Sequence, residues 1–166
     1  LNTTDSEKLS EIYSAKILRL NKSYRSTKQI NTFALQLLNE SDRYEIFERD
    51  GEEVKCDKGD IDGLCELTQR ESINSKTLAI ITRTSDDARE VYKTNKKHIE
   101  GLRLCDNKSC EMGNAPVVMP LSLTKGLEFD SVIVVDKNGS FTSEENKKFL
   151  YLASTRALHK LNIYSV

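Results

Sequence analysis

The stretch Leu121–Asp136, which reads LSLTKGLEFDSVIVVD, indicates the fold of this chain. Its second half contains the apolar run Val132–Val135, which is β-branched throughout and ends in Asp136. Such a run between polar residues is typical of a strand buried on both faces of a parallel sheet. The first half, Lys125–Phe129, combines a cation, a glycine, an acid and an aromatic ring. Packing alone does not require that mixture, so we expect this segment to approach a polar ligand.

Apolar runs alternate with amphipathic segments along the rest of the chain. Strands are predicted at Ile17–Leu20, Thr77–Thr82, Pro116–Pro120 and Leu161–Tyr164. Helices are predicted with caps at Ser26 or Thr27, at Asp60, and at Thr84 or Ser85, and a further helix is predicted to begin at Ser143. Arg49-Asp50-Gly51 is typical of a hairpin turn. The alternation predicts βαβ units and an α/β fold with a mainly parallel sheet. Ligands of such sheets gather at the carboxyl ends of the strands, where Tyr24 and Arg25 are expected to lie.

Length, charge, cysteine spacing and hydropathy limit which classes of protein this sequence fits. The 166 residues fit one domain, and a net charge of -1 argues against a large phosphate-binding face. The four cysteines are too irregularly spaced for a paired zinc site, and reduced thiols are expected, with a Cys105–Cys110 bridge as the alternative. No apolar run could span a membrane, which predicts a cytoplasmic protein. The first residue, Leu1, suggests a piece of a longer chain.

Arginines in small-polar surroundings are the first candidates for chemistry. Arg25 lies in Ser-Tyr-Arg-Ser-Thr and Arg156 in Ala-Ser-Thr-Arg-Ala, contexts in which an arginine can stabilise a transferring phosphoryl group. Each could equally be a surface ion pair. Tyr24 could stack on a base or be an ordinary tyrosine, and Glu128 could hold ribose hydroxyls or pair with Lys125. The sequence contains no G-x-x-x-x-G-K-[ST] phosphate cradle and no metal-ligand pattern.

Three segments together resemble the superfamily 1 helicases of the UvrD/Rep type. Leu20–Thr27 is similar to their motif IV, Thr124–Asp130 to motif V and Leu150–Leu158 to motif VI, in the same order. The resemblance implies that residues 1–166 are the second RecA-like motor domain, a three-layer α/β domain, without the P-loop domain. That absent domain of the same full-length chain would hold Mg²⁺ and the phosphates of ATP.

Carried over position by position, the resemblance gives each candidate a role. Tyr24 would stack near the adenine, Glu128 would hold the ribose and Gly126 would allow close backbone approach. Arg25 and Arg156 would be the catalytic arginines that reach the γ-phosphate. Ser122 and Lys125 would contact nucleic acid, expected to be DNA.

One departure from the helicase pattern bears on the partner. The family usually has Thr-x-His shortly before the Lys-Gly of motif V, whereas this chain has Pro120 and Ser122 there. The sequence of Met119–Asp130 is more similar to that of the HelD branch, whose ATPases act on RNA polymerase. We therefore favour a HelD-like role, with a UvrD-type DNA helicase or a non-enzymatic docking module as alternatives.

Overall fold

The computed structural model describes residues 6–16, 22–23, 25–38, 45–46, 49–106, 113–137 and 143–166. Tyr24 and the strand predicted at Ile17–Leu20 lie outside them. The helices are α1 (Ser6–Tyr13), α2 (Lys28–Leu38), α3 (Ile61–Asn74), α4 (Ser85–Asn95) and α5 (Glu144–Ser154). The strands are β1 (Lys22–Ser23), β2 (Glu45–Ile46), β3 (Lys55–Lys58), β4 (Leu78–Thr82), β5 (Arg103–Leu104), β6 (Val117–Pro120), β7 (Phe129–Asp136) and β8 (Ala157–Ser165). A short 3-10 helix covers Leu121–Leu123.

Six strands form one sheet in the order β3-β8-β7-β4-β6-β5, and every neighbouring pair in it is parallel. The prediction of an α/β fold with a mainly parallel sheet is therefore confirmed. β7 lies inside the sheet, hydrogen-bonded to β4 on one side and to β8 on the other. Its apolar run, predicted from Val132–Val135, is fully or almost fully buried.

Helices cover both faces of the sheet. Successive side chains of a strand point to opposite faces, so β7 contributes to two cores. Val132 and Val134 of β7 belong to the core that contains residues of α2 and α5. Ile133 and Val135 belong to the other core, with residues of α3 and α4. This three-layer arrangement buries apolar side chains on both sides of β7, which explains why its sequence is apolar without alternation.

The connection from β6 to β7 crosses one face of the sheet without an α-helix. β4 lies between the two strands, so residues 121–128 must return from the carboxyl end of β6 to the amino end of β7. Leu121, Leu123 and Leu127 pack against the core on the α2 and α5 face and hold this crossover to the sheet. A crossover between parallel strands usually contains an α-helix, and the short 3-10 helix takes its place here.

Two local predictions are wrong. The Arg49–Gly51 turn does not connect a hairpin, because β2 pairs with β1 in a separate parallel sheet and β3 pairs with β8. Neither Ser26 nor Thr27 caps α2 through its side chain: the Ser26 hydroxyl donates to the carbonyl oxygen of Ala157 at 2.6 Å. The buried Thr27 hydroxyl has no hydrogen-bond partner. The backbone N–H of Lys28 is instead satisfied by the carbonyl oxygen of Arg49 at 2.8 Å.

The end of β8 is locked against the start of α3. The Tyr164 hydroxyl donates to the carbonyl oxygen of Asp60 at 3.0 Å, and Asp60 caps α3 by accepting from the backbone N–H of Gly63. A Cβ on either Gly59 or Gly63 would collide with that hydroxyl. Both glycines therefore leave the space that Tyr164 fills.

The cysteines differ in oxidation state. Cys56 and Cys65 are free thiols, whereas the fully buried Cys105, just after β5, is disulfide-bonded to a partner outside the described residues. The expectation of reduced thiols is therefore wrong for Cys105. The small gain expected from closing a short loop disfavours such a bond but does not prevent it. None of the helices within the described residues is long and apolar enough to cross a membrane.

The start of α4 carries a titratable cap. Thr84 accepts from the backbone N–H of Asp87 at 3.1 Å, and the Asp87 carboxylate accepts from the backbone N–H of Thr84 at 3.2 Å. Burial alone would raise the pKa of Asp87, but hydrogen bonds from Thr84 and Lys137 outweigh it, and the pKa lies below its ordinary value.

We expect Asp87→Asn to lower stability at neutral pH by about 1 kcal/mol, the usual size of a lost helix cap. Because the folded pKa is depressed, the carboxylate's contribution is present above the unfolded pKa and is lost as the pH falls through the folded pKa. Urea unfolding of the two proteins should therefore converge in acid. Asp86→Asn, which removes a neighbouring exposed carboxylate, is the control, and an equal loss at every pH would contradict the assignment.

Candidate functional site

Three predicted site residues, Arg25, Glu128 and Arg156, meet at the end of the six-stranded sheet where its parallel strands begin. We call this end the amino edge, and the opposite end, where the strands finish, the carboxyl edge. Glu128 directly precedes β7 and Arg156 directly precedes β8, and the first residues of these strands, Phe129 and Ala157, are register partners. The backbone N–H of Phe129 donates to the carbonyl oxygen of Arg156 at 2.9 Å. The pairing of two neighbouring strands therefore places an acid and a cation, 28 positions apart in the sequence, side by side.

The N-terminal turn of α2 brings Arg25 to the same edge. The Ser26 hydroxyl bonds to the carbonyl of Ala157, and the backbone N–H of Thr27 donates to the carbonyl oxygen of Leu158 at 3.2 Å. The expectation that Arg25 lies at the carboxyl ends of the strands is therefore wrong. The strand before it, β1, belongs to the separate two-stranded sheet, so the rule for parallel sheets does not apply to the residues that follow it.

Arg25 and Glu128 form an exposed ion pair. The Nε atom of Arg25 lies 2.7 Å from Oε1 of Glu128, and the two side chains are 51% and 37% exposed. Pairs this exposed contribute at most about 1 kcal/mol to stability and weaken with salt. A stronger ligand of either side chain can therefore open the pair at little cost.

Arg156 lies deeper in the site. Its Nη2 atom donates to the Thr155 hydroxyl at 3.0 Å, and Nη1 lies 3.5 Å from the carbonyl oxygens of Thr124 and Leu127. Burial lowers the pKa of Arg156, the charge of Arg25 lowers it further, and Glu128 partly offsets both. An arginine stays protonated despite such a shift. Burial, the largest cause of this shift, disfavours the charged form, and a bound anion would offset that cost.

Gly126 shapes the turn that leads into Glu128. Its φ is +79°, in the region that favours glycine, and Lys125–Gly126 form an exposed turn after the buried Thr124. No described atom would lie within 4 Å of a Cβ built on Gly126. The glycine is therefore required by the backbone conformation, at a cost of roughly 1–2 kcal/mol for other residues. The open space beside it leaves room for a ligand.

The remaining predicted site residues are not all in this cluster. Ser122 is exposed on the 3-10 helix just after β6, near the carboxyl edge, while Lys125 is exposed towards the amino edge. The buried Pro120 is register partner of Thr82 at the carboxyl ends of β6 and β4. Tyr24 lies outside the described residues. Ser122 and Lys125 both lie on the 121–128 crossover, three positions apart.

Two residues at the amino edge were not predicted as site residues. The Asp130 carboxylate accepts from the backbone N–H groups of Lys76 and Thr77 at 3.0 and 3.3 Å, which ties the start of β7 to the start of β4. Arg49 donates from Nη2 to the carbonyl oxygen of Arg25 at 2.6 Å. Asp130 follows the Lys125–Phe129 segment directly, and that adjacency was an available signal. Arg49 lies in a charged, turn-rich stretch, where nothing in the spacing indicates a tertiary role.

Asp136, which ends β7, lies at the opposite edge. It is 1% exposed and accepts a hydrogen bond from Nδ2 of Asn146 at 2.9 Å. Asn146 in turn accepts from Arg83, whose guanidinium lies over the Phe149 ring. Within the part of the chain that the structure describes, no three His, Cys, Asp or Glu side chains form a group that could hold a metal ion.

We expect Glu128→Gln to tighten the binding of inorganic tripolyphosphate to this chain by roughly fivefold, because one repelling charge is removed near the two guanidinium groups. Isothermal titration calorimetry at low salt measures the change, and added salt should reduce it. Glu90→Gln removes a carboxylate from an ion pair with Lys137 elsewhere and should leave the affinity unchanged. Weaker binding to the Glu128→Gln variant would contradict this electrostatic interpretation.

Comparison with known proteins finds a family model that is similar to the C-terminal part of the chain. Residues 117–164 match the UvrD-like helicase C-terminal domain, a segment that runs from β6 into β8 and includes Glu128 and Arg156 but not Arg25. Among solved structures, the chain is similar to the C-terminal domain of a possible DNA helicase from Lactobacillus plantarum WCFS1. The TM-score is 0.65 and the identity 28%, over 87% of this chain and 88% of that one. No curated protein matches the chain.

Proposed function

We propose that this chain is the C-terminal motor domain of an ATP-dependent, superfamily 1 helicase-like protein. The observation that carries the proposal is the meeting of Arg25, Glu128 and Arg156 at one exposed edge of the sheet, although they come from three distant parts of the sequence. The match of residues 117–164 to UvrD-like helicase C-terminal domains and the similarity to a possible DNA helicase support it.

The residues at this edge fit a polyphosphate. Two guanidinium groups and one carboxylate lie there, with Arg25 paired to Glu128 and Arg156 near both charges. The cluster therefore keeps a positive charge, and a guanidinium can bind phosphate oxygens through two parallel hydrogen bonds. The sequence has no Walker A cradle of its own. We therefore assign that cradle and the bound Mg²⁺ to a P-loop motor domain of the full-length protein, and the ATP site to the cleft between the two domains.

In this proposal each residue of the edge has one task. Arg25 and Arg156 bind the γ-phosphate, and Glu128 leaves Arg25 to accept a hydrogen bond from a ribose hydroxyl. Gly126 lets the backbone approach the nucleotide, and Tyr24 stacks on the adenine. When bound, ATP supplies the phosphoryl group whose charge attracts both arginines. Loss of that charge on hydrolysis weakens the attraction, so the two domains close and open with the state of the nucleotide.

We expect Arg156→Ala in the full-length protein to lower kcat for ATP hydrolysis by about 10³, the lower range for an arginine aimed at a transferring phosphoryl group. Arg25→Ala should have a similar effect, because both arginines bind the same phosphate. A coupled-enzyme assay of ADP release measures the rate. Arg89→Ala, which removes an arginine that pairs with Asp86 on α4, should retain normal turnover.

Normal hydrolysis by Arg156→Ala would refute the role of that arginine. The isolated 166-residue chain is expected to show no turnover, because its sequence has no phosphate cradle. Robust hydrolysis by this chain alone would refute the shared site.

The nucleic-acid side of the proposal concerns the 121–128 crossover. Ser122, exposed just after β6, and Lys125 are the residues we assign to contact with DNA. A serine hydroxyl offers one short hydrogen bond, whereas the histidine of the helicase pattern offers a ring that can stack. This difference supports a HelD-like role, in which RNA polymerase rather than free DNA stimulates the ATPase.

We expect RNA polymerase to stimulate ATP hydrolysis by the full-length protein severalfold, and single-stranded DNA alone to stimulate it weakly. Ser122→His should increase the stimulation by DNA, because the ring adds a stacking surface worth about 1–3 kcal/mol per base. Ser72→His, at a partly buried position on α3, is the control. Strong stimulation of the unmodified protein by DNA alone would favour the UvrD-type helicase instead.

A further inference from the structure

Arg49 joins the two segments that carry the arginines of the site. It lies between β2 and β3, outside any helix or strand, and is partly buried. Its Nη2 atom donates to the carbonyl oxygen of Arg25 at 2.6 Å and to the carbonyl oxygen of Leu158 at 3.0 Å. Arg25 is one of the proposed γ-phosphate ligands, and Leu158 follows the other, Arg156, by two residues. One guanidinium nitrogen therefore bridges the backbones next to both.

The backbone of Arg49 holds the same turn. Its carbonyl oxygen accepts from the N–H of Lys28, the first residue of α2. Two positions further on, the backbone N–H of Gly51 donates to Oε1 of Gln29 at 2.9 Å. The segment that begins at Arg49 thus supplies what Ser26 and Thr27 do not, a cap for the start of α2. Movement of this segment would move the turn that carries Arg25.

The contacts of Arg49 differ from those of an ordinary surface arginine. It forms no ion pair with any residue that the structure describes, and its charge is directed at two backbone carbonyls. Its Nε atom is buried without a hydrogen-bond partner, an unfavourable arrangement. A cation that only improved solubility would remain in water and avoid that cost. The geometry is explained if the bridge itself is what the residue provides.

We infer that Arg49 is a positioning residue, which fixes the separation of Arg25 and Arg156 and thereby the recognition of the γ-phosphate. The inference rests on the proposed function of those two arginines. Arg49 does not touch the nucleotide in this account and acts through the backbones of Arg25 and β8. A misplacement of about 1 Å in a catalytic group can reduce a rate by about 10², so a bridge remote from the phosphate can control turnover.

The test uses the full-length protein and compares the affinities for ADP and for a non-hydrolysable ATP analogue. Arg49→Ala should lower kcat by about 10- to 100-fold and reduce the preference for the ATP analogue about tenfold, while the affinity for ADP stays unchanged. Arg49→Lys, whose ammonium can still donate to two carbonyls, should recover part of both losses. Arg89→Ala is the control arginine, and a thermal melt of each variant measures folding.

A double-mutant cycle with Arg25→Ala decides whether Arg49 acts through Arg25. In the Arg25→Ala background, Arg49→Ala should cause little further loss of preference for the ATP analogue. Fully additive losses, or an equal loss of affinity for ADP and the ATP analogue, would overturn the inference. If Arg49→Ala fails to fold, Arg49→Lys in the same cycle gives the answer.

The failure of the proposed function has a different signature. If Arg25→Ala and Arg156→Ala both leave the preference for the ATP analogue unchanged, the γ-phosphate roles are wrong, and the role of Arg49 is wrong with them. If these two variants lose the preference but Arg49→Ala and Arg49→Lys keep it, only the positioning role is refuted.

Discussion

The parallel pairing of β7 with β8 is the interaction on which the site depends. Its register sets Phe129 opposite Ala157, and this alone makes neighbours of Glu128 and Arg156. The same pairing, together with β4, buries the apolar run of β7 between two layers of helices. Residues that hold the core and residues of the candidate site therefore share one strand pair, with the charged residues just before the strands and the apolar residues within them.

The ion pair at the amino edge adds little to the stability of the fold and can exchange partners easily. Among the described residues, Glu128 forms an exposed ion pair with Arg25 and acts on Arg156 only through its charge. Surface pairs of this kind add little to folding. A phosphate bound as proposed above would compete only with this weak, screened interaction.

The sequence predicted well what depends on local pattern. The apolar run at Val132–Val135 marks β7, and Asp60 and Thr84 cap the helices that follow them, because each signal lies within a few residues. The resemblance in motifs identified Arg25, Glu128 and Arg156 as a set, and the structure brings them together. Their roles towards a nucleotide stay predictions. The edge at which they meet was predicted wrongly for Arg25, because a sequence does not reveal which strands share a sheet. The bridge formed by Arg49 was also hidden, since its partners are backbone carbonyls 24 and 109 positions away.

Tyr164 bears on how its strand is placed in the sheet. A shift of one residue in the register of β8 would send every side chain of that strand to the other face of the sheet. The Tyr164 hydroxyl, enclosed by Gly59 and Gly63 and bonded to Asp60, opposes such a shift. The lock acts on Lys160–Ser165, because the pairing with β7 changes register between Ala157 and Lys160. Two glycines thus help to decide which face of the sheet buries Leu161 and Ile163.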